Sequence, residues 1–187
     1  MPALTPSQTI GPFLHIELPY GGEEHLVEPN HPGAVRLLGR ITDGDGNAVD
    51  DALVEIWQAN AAGRYAHPED DRDDVPLEDG FTGFGRCATD SEGRFEFLTV
   101  KPGPVPGPDD RRQAPHIDVS VFARGLLNRL VTRIYFPDEA EANAEDPVLS
   151  LIEDDADRQT LVARQEDGAL RFDIRLQGDG ETTFFVI

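Results

Sequence analysis

Positive charge is scarce in this chain. Its 187 residues carry 16 lysines and arginines against 36 aspartates and glutamates, a formal charge of −20. Nucleic acids and anionic membrane surfaces are polyanions, so this balance argues against both as partners. Cysteine is scarcer still. Cys87 stands alone, which leaves no intrachain disulfide and fits a reducing cytoplasm. No apolar run approaches the roughly 20 residues of a membrane span. The opening segment MPALTPSQTIGPFLHI has neither the basic nor the apolar region of a signal peptide. A soluble, cytoplasmic protein is expected. Tyrosine is also rare: only Tyr20, Tyr65 and Tyr135 are present.

Much of the acid lies in two tracts, Glu69 to Asp79 and Asp138 to Asp157. Solvated loops and exposed helix faces are the expectation for both. A calcium site needs a regular ligand ladder with a glycine hinge, and Asp70-Asp71-Arg72-Asp73-Asp74 shows none.

The length suits one domain with a sizeable core. Residues 1–33 read as an N-terminal arm and an irregular segment rich in Gly, Glu and Pro, and residues 34–187 as the domain proper. Strand-like runs fall at 34–42, 53–58, 85–89, 94–100, 117–123, 132–136, 170–176 and 182–186. Turn signals such as Asp90-Ser91-Glu92-Gly93 and Pro102-Gly103-Pro104 separate them. Many short strands with Gly/Pro punctuation predict an all-β sandwich. Helices are expected over 139–143 and 154–165, the second capped by Asp154 or Asp155, with Leu161 and Val162 facing the core.

The stretch LLGRITDGDGNAVDDALVEIWQANAAGRY, residues 37–65, is the most specific feature. Asp43-Gly44-Asp45-Gly46-Asn47 supplies residues that tolerate left-handed backbone, and Gly63 permits a sharp bend before Tyr65. Leu37, Gly39, Ile41, Gly46, Val49, Val54, Glu55, Ile56, Gly63 and Tyr65, completed by Trp57-Gln58, resemble the signature of the intradiol ring-cleavage dioxygenases. The resemblance runs from Thr5 to Phe185. It implies a β-sandwich fold, O2-dependent opening of a catechol, and ferric iron held by two tyrosines and two histidines. Phenolate is a hard anionic donor suited to the ferric state, and imidazole is a good borderline ligand.

The matching positions read differently here. His116 stands at the first histidine and Asp118 at the second. Val105 follows Pro102-Gly103-Pro104 where a tyrosine is implied, and the other tyrosine position falls near Asp73 or Asp74. An arginine implied three residues before the first histidine is Gln113. No catalytic residue is therefore expected on this chain, and His116, Asp118, Val105 and Asp73 are vestigial ligand positions.

Within the family this pattern resembles the non-metallated chain of a hetero-oligomer whose partner chain keeps the iron(III). The resemblance then implies a role in trans. Thr9, Gly11 and Pro12 of the arm help wall the pocket over the partner's iron, and Arg124 reaches towards an anionic catechol there. Two other functions are open: a non-enzymatic β-sandwich binding or structural module, and a dioxygenase for another catechol with a metal site rebuilt from His116, Asp118 and Asp73.

Overall fold

A computed structural model describes residues 18–186. Eleven strands and two short helices are present among them: β1 Ala34–Thr42, β2 Leu53–Trp57, β3 Phe84–Ala88, β4 Arg94–Val100, β5 Val105–Pro106, β6 Arg112–Gln113, β7 His116–Phe122, β8 Leu130–Tyr135, α1 Ala140–Glu145, α2 Asp155–Gln159, β9 Arg164–Glu166, β10 Ala169–Arg171 and β11 Ile174–Arg175. Two main sheets form. In one, β1 pairs along its length with antiparallel β4 and, on its other edge, with parallel β10 and then β11. β9 closes that sheet against β10. The other is antiparallel, in the order β3-β2-β7-β8.

Alternation explains why the sheets pack. Leu37 and Ile41 of β1, Phe95 and Phe97 of β4, Val54 and Ile56 of β2, and Ile117, Val119 and Val121 of β7 point into one buried cluster. Their neighbours in sequence point out, as period-two strands require. Fully burying such a side chain is worth roughly 1.5–3 kcal/mol. Gln58 rivets the two sheets where β2 ends. Its Nε2 donates to Val100 O at 2.9 Å and its Oε1 accepts from Thr99 Oγ1 at 2.7 Å, with no exposed surface.

Most strand expectations agree with the structure to within two residues. The run at 170–176 is broken into β10 and β11 around Phe172 and Asp173. The run at 182–186 makes only an isolated bridge, Phe185 to Val131. The second helix is shorter than its sequence pattern. Asp154 caps it, accepting from Ala156 N and Asp157 N, but it stops at Gln159 rather than Gln165. Leu161 and Ala163 are instead drawn alongside β8: Tyr135 N donates to Leu161 O at 2.8 Å and Ala163 N to Tyr135 O at 3.0 Å. Residues beyond them form a hairpin through Asp167-Gly168, both at positive φ (49° and 79°). That dipeptide is a strong two-residue hairpin signal.

Candidate functional site

The outer face of the β3-β2-β7-β8 sheet carries two of the vestigial ligand positions, His116 and Asp118. Trp57 lies opposite Asp118, and Asp118 lies opposite Arg133. His116 lies opposite Tyr135. These five strand positions share a face because paired residues do, while Ile56, Ile117 and Ile134 line the core behind them.

A cleft of about 560 Å³ opens beside this row, lined by Trp57, Tyr65, Arg72, Val105, Pro106 and Gln113 among others. Tyr65 stacks on Trp57, with ring centroids 5.9 Å apart and planes 9° from parallel. The turn that brings Tyr65 there is built by Asn60, whose Oδ1 accepts from Ala62 N and Arg64 N at 3.0 Å each and whose Nδ2 donates to Pro76 O at 2.8 Å. Gly63 adopts φ +83° within it and meets the backbone of Pro104. The Trp57–Tyr65 turn and the Pro102-Gly103-Pro104 turn are thus one unit, and Val105 emerges from it into the cleft.

An acidic loop forms the other wall. Asp70 accepts from Tyr65 N at 2.8 Å and from Arg72 Nη2 at 2.6 Å. The Arg72 guanidinium, helped by the Tyr65 amide, holds the Asp70 carboxyl down at about 2. Its side chain is only 9% exposed, so this part of the tract is a built wall and not a solvated run. Asp146, in the second acidic tract, departs from expectation further and has no exposed surface. Its Oδ2 accepts from Ala114 N at 2.7 Å, and its Oδ1 accepts from Val148 N, Leu149 N and the Tyr135 hydroxyl at 2.8, 2.9 and 3.2 Å. It ties the segment entering β7 to the chain after α1.

The ligand positions are locked in other bonds. His116 is buried; its Nδ1–H donates to Ala114 O at 2.7 Å, and Nε2 has no partner. Burial, and then the Arg133 charge, push the imidazole pKa down and hold it neutral. Asp118 Oδ1 accepts from Arg133 Nε at 2.8 Å, and Gln113 Oε1 accepts from Arg133 Nη1 at 2.7 Å. Val105 is buried and has no donor atom in its side chain, and Asp73 is exposed and absent from the cleft lining. Tyr65 lines the cleft, and burial and the Asp118 charge raise its phenol to about 12. Among the described residues, no group of three or more His, Cys, Asp and Glu is placed to hold a metal ion. A ferric site needs several anionic or imidazole donors free to converge, and these residues do not fit one.

Of the substrate-facing candidates, Thr9, Gly11 and Pro12 lie outside the described residues. Arg124 is on the surface just past β7, with its side chain 74% exposed and paired to Asp51. It lies apart from the cleft-lining residues. Arg133 and Asp146 carry much of the site's polar structure without standing out in the sequence. For Arg133 the signal is alternation: it is charged at a strand position two before Tyr135, on the face of His116 and Asp118.

Comparison with known proteins agrees with this geometry. The dioxygenase family's sequence profile matches residues 22–178. The protocatechuate 3,4-dioxygenase alpha chain of Pseudomonas putida is 47% identical over 197 residues, covering 97% of this chain and 95% of that one. The beta chain of the same-named enzyme from Burkholderia cepacia is 44% identical over 171 residues, covering 85% of this chain and 72% of its own length. Among solved structures, the dioxygenase domain of a dioxygenase–carbohydrate-binding fusion from Streptomyces sp. SirexAA-E superposes with a TM-score of 0.56 at 24% identity, covering 86% of this chain and 88% of that one, a likeness of fold. The profile spans most of the chain and the alpha-chain match nearly all of it, so the chain belongs to the dioxygenase family, in the intradiol branch that holds the protocatechuate 3,4-dioxygenases.

Proposed function

We propose that this chain is the alpha subunit of protocatechuate 3,4-dioxygenase. In this reading it acts only with a beta chain, which holds the iron(III). The pair cleaves the protocatechuate ring between its hydroxyls, with O2, to 3-carboxy-cis,cis-muconate. The observation that carries the reading is the row His116, Asp118 and Arg133: the second histidine position is an aspartate already bonded to a guanidinium. A chain with that row, matched end to end by an alpha chain, serves as a wall of its partner's pocket. It contributes shape and exclusion of water. We assign residues 1–33 to an N-terminal arm and an irregular segment, with Thr9, Gly11 and Pro12 over the partner's iron, and residues 34–187 to the sandwich. A cytoplasmic location is part of the reading, supported by the lone Cys87.

The test is iron content. The chain purified alone is expected to carry no stoichiometric iron, and the chain co-purified with a beta partner about one iron per pair. Stoichiometric ferric iron in the chain alone would sink the reading.

Arg124 gives a second check. It sits beside a turn in which Leu127 is 78% exposed, a surface suited to a partner. Protocatechuate bears a carboxylate, and a guanidinium would hold it by charge-assisted hydrogen bonds. Arg124→Ala in the assembled enzyme is expected to raise KM for protocatechuate about tenfold, a loss of ground-state binding. Assembly, measured by gel filtration, should be unchanged. A KM equal to that of the unaltered enzyme would remove Arg124 from the pocket.

A further inference from the structure

The row on β7 and β8 sets a buried acceptor, His116 Nε2, and a half-buried one, Asp118 Oδ2, side by side without a hydrogen-bond donor between them. His116 Nδ1 carries the ring proton, because a carbonyl, Ala114 O, can only accept from it. Nε2 is therefore a bare acceptor, and it is unpartnered and buried. The nearest carboxylate oxygen, Asp118 Oδ2, lies 3.9 Å away. Two acceptors cannot bond each other, and the two atoms are close enough to reach one ion after a small side-chain adjustment, each bond being about 2.0–2.2 Å. The pair is two acceptors facing each other, an arrangement that favours a positive charge beside it.

The cation is already part of the chain. Arg133 Nε sits on the other oxygen of the same carboxylate, and its Nη1 is steered by Gln113 Oε1. The side chains of Arg133 and Asp118 are 19% and 31% exposed, so water screens this charge only partly. The remaining charged groups nearby are already paired: Asp70 with Arg72 on the cleft wall, and Asp146 within its ring of backbone donors.

We infer that the Arg133 guanidinium is the resident cation of this pocket. It neutralises Asp118 and keeps a metal ion from the lone pairs of His116 and Asp118. An entering ion would have to share one carboxylate with a fixed positive charge, or break its bond. The inference goes beyond the subunit assignment and does not depend on it. It concerns this chain by itself, whatever its partner.

The test uses the full chain and cobalt(II), followed by its visible absorption. Arg133→Gln keeps a donor near Asp118 and Gln113 but removes the charge. It is expected to bind cobalt(II) saturably, at least about tenfold more tightly than the unaltered chain. Arg133→Lys, which keeps the charge, should behave like the unaltered chain. The double variant Arg133→Gln with Asp118→Asn should lose the gain. A folded Arg133→Gln chain that binds no better than the unaltered one overturns the inference, as does an equal gain in Arg133→Lys. If Arg133→Gln fails to fold, the unaltered chain decides: saturable cobalt(II) binding that is lost in Asp118→Asn overturns the inference, and no saturable binding supports it.

Discussion

Asp146→Ala is expected to lower Tm by roughly 12 °C, the largest loss predicted for a single polar side chain in this protein. The carboxylate is fully buried and accepts four hydrogen bonds, three of them from backbone amides. Alanine would leave Ala114 N, Val148 N and Leu149 N without that acceptor. Each unsatisfied buried donor costs about 1–3 kcal/mol. Relief of the carboxylate's own desolvation offsets part of the sum, leaving about 4 kcal/mol, and a chain of this size loses about 2–4 °C per kcal/mol. Asp146→Asn separates acceptor geometry from charge. Its one oxygen can keep the contacts of Oδ1, but its amide must then face Ala114 N–H, donor against donor. About half the alanine effect is expected. Thermal melts of the three proteins check this. A Tm within about 3 °C of the unaltered chain for Asp146→Ala would show that these amides find other acceptors.

The second large effect is expected at Gly63. With φ at +83°, a side chain there is strained in any surroundings, by about 1–2 kcal/mol. Here a Cβ would also press into Pro104 O, and that atom is backbone and cannot rotate away. Gly63→Ala is expected to cost about 3–4 kcal/mol in all, or about 10 °C in Tm. Gly46 is the matched control. Its φ is +85°, and nothing lies within 4 Å of an added Cβ, so Gly46→Ala should cost only about 1 kcal/mol. Relief of the clash at Gly63 must push the Pro102-Gly103-Pro104 turn outward, carrying Val105 out of the cleft wall. Trp57 is the only tryptophan and stacks on Tyr65 in that wall, so its emission should shift in Gly63→Ala and not in Gly46→Ala. Equal losses from the two substitutions would mean that the two turns do not lean on each other.

These two sites also mark how far the sequence could be read. Gly63 was legible: a glycine closing a turn before an aromatic residue announces a left-handed backbone. The long strands were legible too, because Gly/Pro turns bound them and apolar residues alternate along β1, β4 and β7. The end of α2 was not. Residues 154–165 carry a fair helical pattern, but β8 offers Leu161 and Ala163 backbone partners, and the Asp167-Gly168 hairpin takes the rest. Long-range pairing overrode local propensity. Asp146 was hidden in an acidic tract, where composition reads as solvation; its partner Ala114 is 32 residues away. Arg133 was hidden in an apolar strand run, 15 residues from Asp118. Ligand positions are visible as letters, but what neutralises them is set by which strands lie side by side.

The edges of β1 carry a consequence for synthesis. Residues 37 and 38 pair with 170 and 171, and residues 41 and 42 with 174 and 175. A ribosome makes these partners long after β1 and β4. Until they emerge, β1 has β4 on one edge and an open row of amides and carbonyls on the other, with Leu37 and Ile41 not yet covered by Leu170 and Ile174. Pairings this distant along the chain close slowly, and an unpaired edge over an apolar face is what aggregates. The nascent chain therefore holds a half-sheet from the completion of β4 at residue 100 until β10 arrives at residue 169. Its yield in a cell should depend on chaperone capacity and on how fast residues 101–175 are translated more than on the stability of the finished fold.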